Sequence, residues 1–280
     1  MSRGFLVLAQ NTDTVNYVEQ AYALALSIKV SQKEVTAISV ITNDPIPDHY
    51  KNVFDQIIPI PWVGTTTTKL KTENRWKLFH VTPYDETIVL DTDMLMLDDI
   101  TSWWNYCSNH DLKFCSSVVN YKQDKITKDV FHRKVFISNN LPNPYFACHY
   151  FKKSNLAYSF YKVLETISNN WELFYGKIAP ISYQKWPSMD LSAAIAIEMM
   201  GVHEQVIDIC SPLEFTHMKP NLQDWPRPTE KWMDSVPYSL NRNSDFLVGN
   251  IKQHYLFHYV DKGFISQSII DKLEALVNEQ

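Results

Sequence analysis

The first third of the chain alternates short apolar runs with segments of helical period, and this alternation restricts the fold more than any other feature of the sequence. Residues 5–9 are a continuous apolar run of strand length. Behind a capping cluster of Asn11, Thr12 and Asp13, the residues Val15, Val18, Tyr22, Ala25 and Ile28 recur on one helix face. Residues 35–41 predict a second strand, closed by Asn43-Asp44-Pro45, and residues 53–58 a third, closed by Pro59 and Pro61. A helix over 73–80 then leads to Thr87-Ile88-Val89-Leu90, the most strand-like run in the chain. Repetition of this kind predicts an α/β fold with a mostly parallel central sheet, helices on both faces, and ligands bound outside the carboxyl ends of the strands.

Further along, the pattern predicts a strand over 114–119, a polar excursion over 120–144, a strand over 147–151 and a helix over 154–168. Ser188 reads as the cap of a helix running through Met200. Between 211 and 243, Pro212, Pro220, Pro226, Pro228 and Pro237 indicate a loop-rich stretch, followed by two short strands within 246–259 and a closing helix over 265–277. No internal repeat and no low-complexity tract is visible. A length of 280 residues suits a single domain.

Composition removes several classes of function. Apolar residues at 45% and charged residues at 20% belong to folded chains rather than disordered ones. With six glycines, there is no phosphate-cradling glycine loop and no dinucleotide fingerprint. A net charge of −5, with no run of Lys and Arg, argues against nucleic acid as a partner. Cys107, Cys115, Cys148 and Cys210 show no paired spacing, which predicts reduced thiols and a cytoplasmic setting. No apolar run approaches the roughly 18 residues of a membrane span, so a soluble protein is expected.

Asp91-Thr92-Asp93 follows the strongest strand and precedes the apolar Met94-Leu95-Met96-Leu97. On an extended chain, residues two apart point the same way, so both carboxylates are expected on one side. At a spacing of roughly 5 Å they would repel by about 3 kcal/mol at an effective dielectric of ~20, a cost that a bound cation reverses. Such hard oxygen ligands favour Mn²⁺ or Mg²⁺ and leave coordination positions for phosphate oxygens. Asp98-Asp99 reads instead as the cap of a helix over 100–106.

At these residues the sequence resembles the glycogenin-like retaining glycosyltransferases, which have the GT-A nucleotide-sugar-binding fold. The likeness runs through Leu8-Ala9-Gln10-Asn11 with Tyr17, Ala21, Leu24, Ser27, Ile28 and Lys29; through Arg75 and Tyr84 to Asp91-Thr92-Asp93; and through Asp190 at the head of the helix Leu191 to Met200. The resemblance implies a UDP-sugar donor, with Ala9, Asn11 and Tyr17 facing the base and ribose, Tyr17 stacked on the uracil. Arg75 would approach the donor, with Lys77 its alternate, and the Thr92 backbone would lie near the ribose. Asp91 and Asp93 would hold the metal, and Asp190 would orient sugar hydroxyls.

The family completes its metal site with a C-terminal histidine in a His-aromatic-x-Gly…Lys-Pro-Trp motif. Here His258-Tyr259-Val260-Asp261-Lys262 keeps the histidine, the aromatic and the lysine, whereas His217-Met218-Lys219-Pro220 keeps His and Lys-Pro at altered spacing. His258 is preferred as third ligand, His217 is the alternative and His254 an outsider; Lys262 or Lys219 would lie beside the diphosphate. Tyr145-Phe146-Ala147-Cys148 replaces the family's Asn-Ser-Gly strand, which leaves the sugar open. Residues 5–119 would form the nucleotide-binding half, and residues 120–280 the acceptor half and closing segment. The acceptor would be a hydroxyl on a glycan, a protein or a small molecule.

Each residue also has a plainer reading. Asn11 could only cap its helix, Arg75 could pair with Glu73 or Asp85, Tyr17 could be an ordinary helix aromatic, and the Asp190 charge suits a first turn whatever its task. Two other functions compete: a haloacid-dehalogenase-type phosphatase with Asp91 as nucleophile, and a non-catalytic nucleotide-sugar binder.

Overall fold

The computed structural model describes residues 1–62, 71–126, 133–180, 184–225, 231–241 and 245–279. Pro226, Pro228 and residues 127–132 of the polar excursion lie outside that set. In chain order the strands are β1 (Arg3–Leu8), β2 (Ile38–Ile41), β3 (Gln56–Ile58), β4 (Glu86–Leu90), β5 (Met94–Met96), β6 (Leu112–Cys115) and β7 (Ser117–Val119). They continue with β8 (Tyr145–Lys152), β9 (Glu214–His217), β10 (Tyr238–Leu240), β11 (Phe246–Val248), β12 (Ile251–Lys252) and β13 (Leu256–His258).

Six strands form the main sheet in the order β3-β2-β1-β4-β8-β6. The first four are mutually parallel, with Val7 opposite both Val40 and Leu90, and β8 runs antiparallel to β4 and to β6. Helices cover both faces, so Phe5, Leu6, Val7, Ile88, Val89 and Leu90 are all essentially inaccessible to solvent. A strand buried on both sides reads as a continuous apolar run, which is why β1 and β4 were the plainest strands in the sequence. One core packs the helices Tyr17–Ser31 and Gln267–Asn278 around Phe5, Val7 and Trp104; the other packs Asn155–Asn169 and Met189–Met200 around Leu6, Val89 and Phe114.

A second sheet, β5-β13-β9-β7, decides where the site lies. The chain leaves the main sheet at Leu90 and enters the second at Met94, so Asp91-Thr92-Asp93 is the splice between them. Met94 stands opposite His258 and His258 opposite His217, in antiparallel and parallel pairings respectively. Both sheets draw strands from either side of residue 119.

Several sequence expectations need correction. The run 114–119 is two strands, β6 and β7, in different sheets, with a register shift after Phe114. The stretch 211–243 holds β9, an inner strand, despite its prolines. The excursion 120–144 includes the short helix Lys134–Ser138, and 246–259 holds three strands rather than two. The segment expected as a helix over 73–80 opens as a 3₁₀ turn, Thr72–Lys77, before the helix Leu78–Val81. Strands of two to four residues are too short for periodicity to betray them.

Candidate functional site

Asp91 and Asp93 converge, though not through strand pleating. Neither lies in a strand: the backbone turns after Leu90, where the Asp91 N–H donates to the Ala147 carbonyl at 3.0 Å, and the turn brings both carboxylates to one side. The second sheet then supplies the imidazole. His258 Nε2 lies 2.8 Å from Asp93 Oδ2, and one ligand atom from each of Asp91, Asp93 and His258 falls within 4.8 Å of the others. His258 Nδ1 is buried and makes no hydrogen bond among the described residues.

Neighbouring elements hold this group in place. Ser27 Oγ, on the helix Tyr17–Ser31, accepts from the Met96 N–H at 2.9 Å, while Gln20 Nε2 of the same helix donates to the Lys262 carbonyl at 3.3 Å. The Tyr259 N–H donates to the Asp93 carbonyl, and Trp232 Nε1 donates to the Tyr259 carbonyl. Val260, a β-branched residue, sits at φ 61°, a conformation costly for such a side chain and common where surrounding structure fixes a functional loop.

Each carboxylate has a basic partner. Arg75 Nη1 pairs with Asp91, and Lys262 Nζ pairs with Asp93. Burial opposes the charge on Arg75, yet Asp91, Asp93 and Asp190 outweigh it and hold the guanidinium's pKa above its ordinary value. Burial likewise opposes the charge on Asp93, but His258 and Lys262 hold its carboxyl well below the usual carboxylate range.

Two cavities meet at this point. The first, about 270 Å³, is lined by Tyr17, Lys71, Thr92, Asp93, His258 and Lys262 among others; the second, about 380 Å³, by Arg133, Phe146, Trp186, Asp190 and Lys219 among others. Thr72, Arg75 and Asp91 border both, so the two are compartments of one cleft.

The remaining sequence candidates divide between this cleft and the scaffold. Tyr17 is half-buried in the first cavity, with Lys262 Nζ 5.6 Å from its ring centroid. Burial raises its phenol pKa, and Lys262 partly offsets that shift. Thr92 lines the same cavity and its carbonyl accepts from the Tyr259 hydroxyl at 3.4 Å. Asn11 does cap: its Oδ1 accepts from the Val18 N–H at 3.1 Å, although Asn16 is the residue at the helix boundary, and the Asn11 carbonyl accepts from Lys71 Nζ. Ala9 is packed in the core with its N–H bonded to Ile41.

Lys77 lies outside both cavities, where its ammonium donates to the Trp62 carbonyl at 3.0 Å and burial lowers its pKa. Arg75 pairs with Asp91 rather than with Glu73 or Asp85. His217 stacks on His258, with centroids 4.8 Å apart, outside the three-residue ligand group, and His254 instead meets Asp98. Asp99 Oδ1 accepts from the Thr101 N–H at 3.3 Å, but Ile100 stands at the boundary of the helix Thr101–Cys107 and no side chain caps it, while Asp98 accepts from the Tyr255 N–H.

Arg133 was missed by sequence reasoning. It emerges from the polar excursion, where nothing in spacing or composition singles it out. Its side chain is buried, its Nη2 donates to Asp190 Oδ2 at 2.6 Å, and its guanidinium lies 4.0 Å from the Tyr145 ring centroid. The other Asp190 oxygen accepts from the Phe146 N–H at 2.8 Å, so the carboxylate at the head of the helix Met189–Met200 is fixed from two sides.

Two carboxylates and an imidazole form a donor set suited to a hard or borderline divalent cation. Ligand atoms about 2.1 Å from one octahedral ion lie about 3.0 Å apart in cis and about 4.2 Å in trans positions, so the group would draw together by at least roughly half an ångström to close on such a cation.

This architecture, with its acidic splice between two sheets facing a divided cleft, is the GT-A fold of nucleotide-sugar glycosyltransferases. Among solved structures, the galactosyltransferase LgtC in complex with donor and acceptor sugar analogs superposes with a TM-score of 0.52 at 14% identity, covering 98% of this chain and 95% of that one. The bifunctional glycosyltransferase WbbM gives 0.52 at 11% identity, over 99% of this chain and 50% of its own. The apo-form glycosyltransferase GlyE of Streptococcus pneumoniae TIGR4 gives 0.47 at 13% identity, and this chain spans 63% of its length. At these identities the likeness to LgtC and WbbM establishes the fold alone. No protein-family model matches the chain, and no curated protein matches it in sequence. No helix among the described residues is long and apolar enough to cross a membrane.

Proposed function

We propose that this protein is a metal-dependent glycosyltransferase that moves a hexose from a UDP-sugar to an acceptor hydroxyl with retention at the anomeric carbon. The observation that carries the reading is the meeting of Asp91, Asp93 and His258 within 4.8 Å on the wall of a cavity that continues past Asp91 to Asp190. A GT-A fold also removes the ground for the phosphatase reading, which requires a different fold around Asp91.

In this reading Tyr17 receives the uracil in the first cavity and the Thr92 backbone borders the ribose. Asp91, Asp93 and His258 hold Mn²⁺ or Mg²⁺, which when bound supplies neutralising charge to the departing diphosphate. Arg75 and Lys262 add fixed positive charge beside it. The hexose lies in the second cavity, where Asp190, held by Arg133 and the Phe146 N–H, orients its hydroxyls. The acceptor oxygen bonds to the anomeric carbon as the bond from that carbon to the phosphate oxygen breaks. UDP leaves with the electron pair, and its phosphate takes the hydroxyl proton. The side chains act by positioning and electrostatic stabilisation.

The test is a thermal-shift and calorimetric screen of UDP and UDP-hexoses with and without Mn²⁺. A stabilisation requiring both nucleotide and metal is expected in the native protein. Asp91→Asn is expected to lose it while melting as a folded protein, together with all UDP-hexose turnover. Unchanged turnover in Asp91→Asn would remove the proposal. Metal-dependent binding with no sugar transfer or hydrolysis in the native protein would favour a non-catalytic binder, and the anomeric configuration of the product, read by NMR, decides retention.

A further inference from the structure

The second cavity carries a charge that neither its own residues nor a nucleotide-sugar donor balances. Three cations line it: Arg75, Arg133 and Lys219. Arg75 is matched by Asp91 and Arg133 by Asp190. Lys219 has no ion pair or hydrogen-bonded carboxylate among the described residues. In the adjoining cavity Lys262 is matched by Asp93, and Lys71 donates to the Asn11 carbonyl. A divalent cation and the diphosphate of a donor arrive with opposite charges of equal size and change nothing in this balance. Within the second cavity the excess positive charge stays on Lys219.

This lysine is built into the wall rather than trailing in solvent. It lies two residues past the end of β9, and Gln223 Nε2 donates to the carbonyls of both His217 and Lys219, at 2.7 and 3.0 Å, which fixes the backbone from which the side chain projects. Half-buried, its ammonium has lost part of its hydration: burial pushes the pKa down, with Asp190 acting in the opposite sense from a distance. A desolvated cation without a counter-ion is a costly arrangement, and an anion delivered by a ligand relieves it. The head of the helix Met189–Met200 also borders the cavity and adds partial positive charge there. Exposed Trp186, on the same rim, offers an aromatic face to the apolar side of a pyranose.

We propose that the acceptor received in this cavity is an anionic saccharide, whose carboxylate or phosphate oxygens are set against Lys219. This rests on the glycosyltransferase reading and adds to it the chemical class of the acceptor. Lys219 is thereby a specificity residue of the acceptor side, separate from the basic side chains around the metal ligands.

The experiment uses the whole chain saturated with UDP and Mn²⁺, titrated calorimetrically with glucose, glucuronate and glucose 6-phosphate, and with the corresponding galactose series. In at least one series a charged sugar is expected to bind tenfold or more tightly than its neutral counterpart, and whichever of uronate and phosphate prevails identifies the source of the charge. Lys219→Met is expected to abolish that preference while UDP affinity stays within twofold, and Lys219→Arg to keep it. Equal binding of neutral and charged sugars, no binding of any charged sugar, or a preference surviving Lys219→Met would overturn the assignment. So would a tenfold loss of UDP affinity in Lys219→Met, which would move the lysine to the diphosphate. Failure of UDP to bind with Mn²⁺ at all is a separate outcome: it removes the nucleotide-sugar reading first, and the acceptor class falls with it.

Discussion

Asp190→Asn separates the two tasks assigned to Asp190, holding Arg133 and serving the sugar. The introduced amide keeps an oxygen to accept from the Phe146 N–H, so the local backbone retains its 2.8 Å bond. What it loses is the counter-charge of a guanidinium whose side chain is only 6% exposed. Breaking a fully buried pair costs about 3–5 kcal/mol; Asp190 is 31% exposed, and solvent screening brings the expected loss to about 2 kcal/mol. At roughly 2–3 °C per kcal/mol for a chain of this size, Tm should fall by about 5 °C.

Arg133→Met gives up the same pair and the contact with the Tyr145 ring, and should cost about 2–3 kcal/mol. The double variant should recover about 1–2 kcal/mol relative to the sum, because no unpaired charge remains. Urea unfolding monitored by circular dichroism supplies these values. UDP-hexose turnover, assayed well below every Tm, should drop at least 100-fold in Asp190→Asn, about 2.7 kcal/mol of transition-state stabilisation, with UDP affinity unchanged. Turnover within threefold of the native protein would show that Asp190 serves only the ion pair. Strict additivity in the double variant would show that the pair has no energetic content.

Two further outcomes test the scaffold beneath the site. Burial pushes the His149 imidazole down to about 3, between the Phe146 carbonyl and the Tyr161 hydroxyl; because the unfolded chain takes up this proton near pH 6.5, the neutral histidine's contribution is fully present above that pH. It is lost as pH falls toward 3, at up to about 1.4 kcal/mol per pH unit, and His149→Gln should reduce the slope of urea-derived stability between pH 6 and pH 4 by one proton. A Cβ added at Gly4 would overlap the Tyr84 ring, whose hydroxyl is hydrogen-bonded to Ser39 at 2.7 Å. Gly4→Ala should therefore cost about 1–3 kcal/mol, and a Tm equal to that of the native protein would contradict the packing at the base of the main sheet.

What the sequence disclosed depended on how far each structural cause extends along the chain. The main sheet was legible because β1 and β4 are buried on both faces and their apolar runs are continuous. Asp91 was legible because it follows β4 directly, at the carboxyl end of an apolar strand. The second sheet was not, since Met94–Met96, Ser117–Val119 and Leu256–His258 are each three residues long and acquire their meaning only from partners 41 to 164 positions away. The convergence of the two carboxylates was expected for the wrong reason, a strand pleat in place of a turn. His258 stood out by its place in a family motif, whereas Arg133 had no such help: its importance comes from a helix terminus 57 residues downstream, which no local pattern encodes.

The splice at Asp91-Thr92-Asp93 also sets an order of events during synthesis. Its acids leave the ribosome with the first third of the chain, but His258, which completes the ligand group, belongs to β13, and β13 inserts between β5 and β9. A nascent chain carrying the whole main sheet therefore holds the two acids without their imidazole, and without the inner strand that turns Met94–Met96 into part of a sheet. In the proposed reading the group of Asp91, Asp93 and His258 is complete only once β13 has been translated, so a nascent chain that stops short of it would lack the third ligand.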